Sequence, residues 1–400
     1  MERPLRVAYI THYTELYGAN RSLLDLLRAL RDHQGVVPHV VLPSTGALNV
    51  ELDRLGIPWA IIPFQPWMSE RHYSGRWYHR LAQHLRQRRE ARARIAHNAG
   101  LGPALAEQLH AWDITIVHAN SAAVALVPTV LALGEWPLVW HIRELPEAHY
   151  GLQFDGGRER YANALHGAAH VVVISDAVRS DIRSRAGELP RVTRIHDGVL
   201  STERMLELAR TARDRSAAGR AFSLLQVGLI HPSKGQLEAV DAVHLLRRQG
   251  KAVRLIIAGT GRDKALRARI AELDLGAQVE LRGYVSDPSP LYQGADVLLM
   301  CSRHEALGRV TIEAMACGLP VIGHRSGATP EVLGDGAFGL LREGGPEELA
   351  LAIDRMMQDT HLREQLTTAA RTSVLERFTT ERCGAAVRAV YDKVVSATAS

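Results

Sequence analysis

Along most of the chain, short apolar runs alternate with stretches of helical periodicity. In the first half the runs are RVAYIT (6–11), HVVLP (39–43), WAIIP (59–63), ITIVHAN (114–120), LVWHIRE (138–144), HVVVIS (170–175) and VTRIHDG (192–198). In the second half they are SLLQVG (223–228), VRLIIAG (253–259), VELRG (279–283), DVLLMCS (296–302) and PVIGH (320–324). Runs that are apolar throughout and separated by helices read as parallel strands covered on both faces. Two doubly wound α/β sheets in series are therefore predicted. The join falls between Asp197 and Ala221, within the polar, Arg-rich segment TERMLELARTARDRSAAGR, itself expected to be helical. After Phe338 the pattern reads mostly as helix to the end.

One region departs from this rhythm. Residues 64–98 combine Trp67, Tyr73, Trp77 and Tyr78 with Arg71, Arg76, Arg80, Arg86, Arg88 and Arg89. One reading is a surface helix with a solvated arginine face. The other is an interfacial patch for an anionic membrane, or a pocket for an acidic acceptor. Aromatic residues are 5% of the chain, so four within residues 67–78 is a local enrichment that keeps the second reading open.

Composition narrows the class. The 400 residues are 46% hydrophobic and 23% charged, which suits a globular chain of two or three domains. A net charge of +5 does not call for nucleic acid, and no zinc-finger or aromatic RNA-binding pattern is present. Cys301, Cys317 and Cys383 lack metal-ligand spacing and fit free thiols in a reducing cytoplasm. No signal-peptide pattern precedes the first strand, and no apolar stretch is long enough to span a bilayer. The expected location is cytoplasmic, including the inner face of the cell membrane.

The candidate chemistry lies at strand ends. Strand SLLQVG leads through LIHPSKG into a helix, whose first amides favour an anion. Lys234 stands at that entrance, in a chain where only Lys251, Lys264 and Lys393 are the other lysines. A compact ammonium suits a crowded diphosphate pocket, whereas the plain alternative is an exposed loop lysine. Gly18, in TELYGANRS (14–22), follows the first strand and would let that loop approach a ligand. Glu305 sits in the loop after DVLLMCS, where open α/β sheets bind ligands. Glu313 lies one turn into the next helix, among Val310, Ile312, Ala314 and Met315. A carboxylate on a buried face needs hydrogen-bond partners, and two ribose hydroxyls would serve. The helix start between the two acids would hold phosphate, so this stretch can grip a sugar, a diphosphate and a ribose in order. Either acid alone could instead be structural, satisfied by backbone or arginine.

With these residues in view, the chain resembles the retaining glycosyltransferases of family 4 (group 1 glycosyltransferases), of GT-B fold. The resemblance rests on E-x7-E from Glu305 to Glu313 followed by AMACGLPVIG, with VGLIHPSKGQ, GYVSD, SGATPEVL, YGANRSLLDLL and IVHANS…VWHIREL in the same order. It implies two facing Rossmann-like domains: residues 1–200 for the acceptor, joined by a C-terminal helix at about 376–400, and 201–375 for the donor. It implies that Glu305 binds donor-sugar hydroxyls, Glu313 the ribose hydroxyls, and Lys234 the diphosphate, helped by amides of Ala306, Leu307 and Gly308. The turn Gly283–Tyr284–Val285 would border the base, and Gly18 would close the diphosphate loop. His141 would sit near the donor sugar as a positioning group more than a base. His118, Asn120 and Arg143 would line the acceptor cleft, unless Arg143 simply pairs with Glu144. The family often has an arginine where this chain has Leu229. Arg309, then His231 or Arg143, are the candidates to replace it.

The implied reaction transfers a sugar from a nucleoside diphosphate to an acceptor hydroxyl with retention, by a front-face route in which a donor phosphate oxygen takes the acceptor proton. No Asp-x-Asp motif is present, so metal-independent chemistry and no cofactor are expected, with a UDP-sugar ahead of a GDP-sugar as co-substrate. The acceptor expected is a lipid-linked or cell-surface glycan, or a small molecule. Domain closure around the substrates is expected as well. Two alternatives stay open: a nucleotide-sugar 2-epimerase, for which no acid–base set can be assigned, and an inactive glycosyltransferase-like partner, which Leu229 alone supports.

Overall fold

The computed structural model describes residues 4–70, 76–210 and 220–399. The chain divides into two units, Met1–Gly198 with Thr380–Ser400, and Val199–Thr379. Each is a doubly wound α/β unit built on a parallel sheet.

The strands of the first unit are β1 (Leu5–Ile10), β2 (Val36–Leu42), β3 (Trp59–Ile61), β4 (Met68–Glu70), β5 (Ile116–Ala119), β6 (Leu138–Ile142), β7 (Leu152–Phe154), β8 (His170–Val173) and β9 (Val192–Arg194). Seven of them form one parallel sheet in the order β3-β2-β1-β5-β6-β8-β9. The order reverses direction between β1 and β5. Such a switch point leaves a crevice at the carboxyl ends of the two strands. The helix Gly18–Gln34 turns Leu23, Leu27 and Leu30 onto this sheet and stops at Gly35. The last helix, Thr380–Ala399, packs against it within the same unit. Cys383, Val387, Val390 and Tyr391 join the core there, and Arg388 Nη1 donates to the Gln34 carbonyl at 2.7 Å.

The second unit contains β10 (Phe222–Val227), β11 (Val253–Ala258), β12 (Val279–Gly283), β13 (Val297–Met300), β14 (Val321–His324) and β15 (Leu340–Arg342). These run parallel in the order β12-β11-β10-β13-β14-β15. Its switch point lies between β10 and β13. The core is aliphatic, with Leu224, Leu255, Ile257 and Leu299 from the strands meeting Val240, Val243 and Ile353 from helices.

The chain after Phe338 is mostly helix, as expected, although β15 first completes the edge of the second sheet. Short strands β4 and β7 pair antiparallel outside the main sheet. One expectation needs correction: residues 64–98 do not form one surface element. Trp67 is buried at 2% exposure among Trp140, Phe154 and Tyr161, and its Nε1–H donates to the Ala122 carbonyl at 3.0 Å. It is a core residue, and the helix begins only at Trp77. Arg71 and Tyr73 lie outside the described residues, as does 211–219 of the inter-unit segment, whose first part is the helix Thr202–Arg210.

Candidate functional site

At the switch point of the second sheet, two strand-end loops meet. The loop after β10 reaches Gly235, which holds φ +70 and opens the helix Gln236–Arg248. A Cβ there would lie 2.7 Å from both the Cβ and the carbonyl oxygen of Cys301, so only glycine lets this loop close on the end of β13. Two glutamines shape the loop: Gln226 Nε2 donates to the Lys234 carbonyl at 2.7 Å, and Gln236 Nε2 to the Leu229 carbonyl at 2.8 Å. Lys234 is thereby aimed across the crevice. Its Nζ donates to Glu305 Oε2 at 2.7 Å, with 17% and 15% of the two side chains exposed. The pair leaves both charged groups within reach of solvent.

The Glu305 loop is fixed from behind. Ala328 N–H donates to the Glu305 carbonyl at 2.8 Å, and a Cβ on Gly327 would come within 2.5 Å of that same oxygen. Ala306 and Leu307 are buried, and Gly308 in the left-handed region starts the helix Arg309–Ala316 with no side chain capping it. The first turn of such a helix attracts negative charge. Glu313, 14% exposed, accepts a hydrogen bond from the Tyr292 hydroxyl at 2.8 Å and has Arg309 Nε 3.9 Å away. Arg309 Nη2 also donates to the Val199 carbonyl at 3.2 Å. Leu229 is 43% exposed, and the imidazole Nδ1 of His231 is engaged by Ser233. Tyr284 is 64% exposed on the turn after β12, and Val285 is half-buried. The Gly283 carbonyl accepts from Gly259 N–H at 2.7 Å and so holds that turn beside the end of β11.

At the switch point of the first sheet the side chains are buried and largely bonded to one another. Asn120 N–H donates to the Ile10 carbonyl at 2.9 Å, bringing β5 to the end of β1, and its Nδ2 donates to the Ala19 carbonyl at 3.3 Å. Asn20 organises the preceding loop, accepting from Thr11 Oγ1 at 2.6 Å and donating to the Tyr13 and Glu15 carbonyls. Gly18 is exposed, and a Cβ there would meet nothing within 4 Å, so no contact within the chain requires a glycine. Arg143 is the hub. Its guanidinium pairs with Asp197, donates to Asn120 Oδ1 at 2.9 Å and reaches His141 Nδ1 at 3.1 Å. Arg143 therefore does not pair with Glu144, which instead accepts from Ala122 N–H at 3.1 Å.

A guanidinium only donates, so His141 Nδ1 is an acceptor and its proton sits on Nε2. That nitrogen is buried, 3.9 Å from Asp197 Oδ1. Burial first, and then the Arg143 charge, hold the His141 and His118 imidazoles well below the usual range, so both are neutral near neutral pH. His141 is in this state a hydrogen-bond donor. His118 Nδ1 lies 2.7 Å from the Tyr391 hydroxyl of the last helix, which in turn is 3.0 Å from Tyr9 Oη. Burial raises the Glu144 carboxyl to about 7, the bonds from Ser121 and then Ala122 lowering it in part.

Lys234, Glu305, Ala306, Leu307, Gly308, Arg309, Glu313, Tyr284 and Val285 thus belong to the second unit. His118, Asn120, His141, Arg143 and Gly18 belong to the first. Tyr292, Asp197 and Tyr391 were not singled out from the sequence. Tyr292 lies on the short helix Ser289–Gly294, whose pattern carries no mark of its hydrogen bond. Asp197 carried a signal in VTRIHDG, an acid at a strand end opposite the Arg143 strand end.

Residues 17–201 match the family described as Glycosyltransferase Family 4, and residues 210–373 match Glycosyl transferases group 1. An alpha-D-kanosaminyltransferase of Streptomyces kanamyceticus is 26% identical over 58% of this chain and 62% of its own length. A D-inositol 3-phosphate glycosyltransferase of Paenarthrobacter aurescens (strain TC1) is 28% identical over 71% of this chain and 68% of its own. Across these and further curated relatives the chain spans 38–68% of their own length. Among solved structures, Anabaena Alr3699/HepE in complex with UDP superposes with a TM-score of 0.77 at 21% identity, covering 97% of this chain and 100% of the other. At that identity the likeness speaks for the fold, which is GT-B.

Proposed function

Since the chain belongs to the group 1 glycosyltransferases of family 4, we propose that it transfers a sugar, with retention and without a metal ion, from a UDP-sugar to an acceptor hydroxyl. The observation that carries this reading is the constellation at the second switch point. There a lysine–glutamate pair stands beside an uncapped helix start, and a second carboxylate lies one turn further in. The UDP bound to the Anabaena protein supports uridine as the base.

In this reading Glu313, oriented by Tyr292, accepts from the ribose hydroxyls. The diphosphate lies at the start of the helix Arg309–Ala316, where amides and Lys234 meet the charge that grows as the glycosidic bond to the leaving phosphate breaks. Glu305 turns from Lys234 to the donor-sugar hydroxyls. The acceptor oxygen bonds to the anomeric carbon on the face the phosphate leaves, and its proton passes to a phosphate oxygen. No protein nucleophile is needed, and His141, an Nε2–H donor, positions substrate. Arg309, whose Nε lies 3.9 Å from Glu313, is the candidate to replace the arginine absent at Leu229. The acceptor is a lipid-linked or cell-surface glycan presented at a membrane face.

The test follows hydrolysis of a panel of UDP- and GDP-sugars by proton NMR in EDTA. Release of one sugar first as the α anomer, unchanged when EDTA replaces magnesium, is expected. The β anomer would refute retention, and activity only with magnesium would refute metal independence. No turnover of any donor, with nucleotide binding intact, would favour the inactive-partner reading.

A further inference from the structure

The first unit carries an exposed apolar stripe that its own core leaves uncovered. The helix Trp77–Gly100 has 24 residues, about 36 Å at 1.5 Å per residue. Its C-terminal part is fastened down. Arg94 makes two 2.7 Å hydrogen bonds to the buried Asp155 carboxylate, and Asn98 exchanges hydrogen bonds of 2.9 Å with the Gln65 backbone. The N-terminal part presents large side chains outward instead: Trp77 is 75% exposed, Leu85 58%, Leu81 51% and Tyr78 44%. At 3.6 residues per turn these four fall within an arc of about 100°.

The charge on this face has one sign. Arg88 and Arg92 continue the same stripe along the helix, and Arg89 borders it, all exposed. From Arg76 to Arg92 the lone acid is Glu90. It lies on the far side of the helix and is engaged by Arg86 at 2.8 Å. Exposed contiguous apolar surface marks an interaction site. A narrow stripe of Trp, Tyr and Leu, edged by arginine and free of acid, has the character of a helix lying in a lipid interface. Trp and Tyr settle there at headgroup level, and arginine meets anionic phosphates. We propose that this helix seats the first unit on an anionic bilayer, with Trp77, Tyr78, Leu81 and Leu85 entering the acyl boundary. The proposal deepens the transfer reading by giving a membrane acceptor its surface. Vesicle binding needs neither donor nor acceptor, so the two can fail separately.

The test is co-sedimentation of the full chain with vesicles of phosphatidylcholine alone or with one quarter phosphatidylglycerol. Binding to the anionic vesicles only is expected. Leu81→Ser/Leu85→Ser should weaken it through the apolar stripe, and Arg88→Gln/Arg92→Gln by about tenfold, at roughly fivefold or less per charge. Both variants keep the parent's thermal unfolding, since all four side chains are exposed. Absence of sedimentation with anionic vesicles would overturn the proposal, as would equal sedimentation of parent and variants. A concentration-dependent dimer in ultracentrifugation, abolished by Leu81→Ser/Leu85→Ser while vesicles go unbound, would reassign the stripe to a second copy.

Discussion

Both sheets gather their polar residues at the same topological place, the carboxyl ends of the strands flanking the switch point, but they treat them differently. In the first unit Arg143, Asp197, His141 and Asn120 are all buried and bonded into one network, and the buried His118 beside it is bonded to Tyr391. In the second, Lys234, Glu305 and Glu313 keep 14–17% of their side chains exposed, the first two on strand-end loops and Glu313 in the helix that follows. A buried charge network is expensive to break and holds a fixed geometry. A partly exposed pair can trade its partner for a ligand at little cost. The first arrangement reads as a scaffold with a donor imidazole built in, and the second as a receptor.

The sharpest way to break this contrast is to remove one charge from the scaffold. Asp197→Ala leaves Arg143 buried without its carboxylate and should lower stability by about 3–5 kcal/mol, read by denaturant unfolding. A loss under about 1 kcal/mol would mean the network is not structural. Next comes Lys234→Ala, which should cost about a hundred- to a thousandfold in kcat/KM for donor turnover while the thermal midpoint moves little. An equal loss of stability would make Lys234 a structural residue instead. Tyr292→Phe removes the hydroxyl that orients Glu313 and should weaken nucleotide binding by about fivefold, the worth of one hydrogen bond of about 1 kcal/mol. Unchanged affinity would detach Tyr292 from the site.

The smallest effect concerns pH. Burial lifts Glu144 to about 7, above the value near 4.5 it takes when solvated. Between those values the folded state binds the extra proton, so its contribution to stability is full in acid and is lost as pH rises through about 7. Glu144→Gln should therefore raise the thermal midpoint by a few degrees at pH 8 and leave it nearly unchanged at pH 5. The opposite pattern would mean that the carboxylate is held charged by Arg143.

The parallel strands were legible because sheets covered on both faces demand unbroken apolar runs, as in HVVVIS and VRLIIAG. Three of the short strands were not. Met68–Glu70 and Leu152–Phe154 take their conformation from pairing with each other, and Leu340–Arg342 from β14, so no local pattern marks them. Trp67 shows the limit for side chains. Its sequence neighbours suggest a surface, while its burial is set by Trp140, Phe154 and Tyr161, all distant in the chain. For the candidate site, spacing alone put Glu305 and Glu313 on either side of a helix start, and the cost of burying Glu313 demanded a partner. That the chain itself supplies one, Tyr292, depends on how the helix Ser289–Gly294 packs, which spacing does not encode.

The central claim is that the nucleotide is held at the second switch point. Calorimetric titration of UDP in EDTA tests it most directly, on the parent, on Glu313→Ala and on Asn120→Ala. Micromolar binding by the parent and by Asn120→Ala, lost in Glu313→Ala with its fold intact, is the predicted result. Binding that survives Glu313→Ala, or that Asn120→Ala abolishes equally, would contradict it.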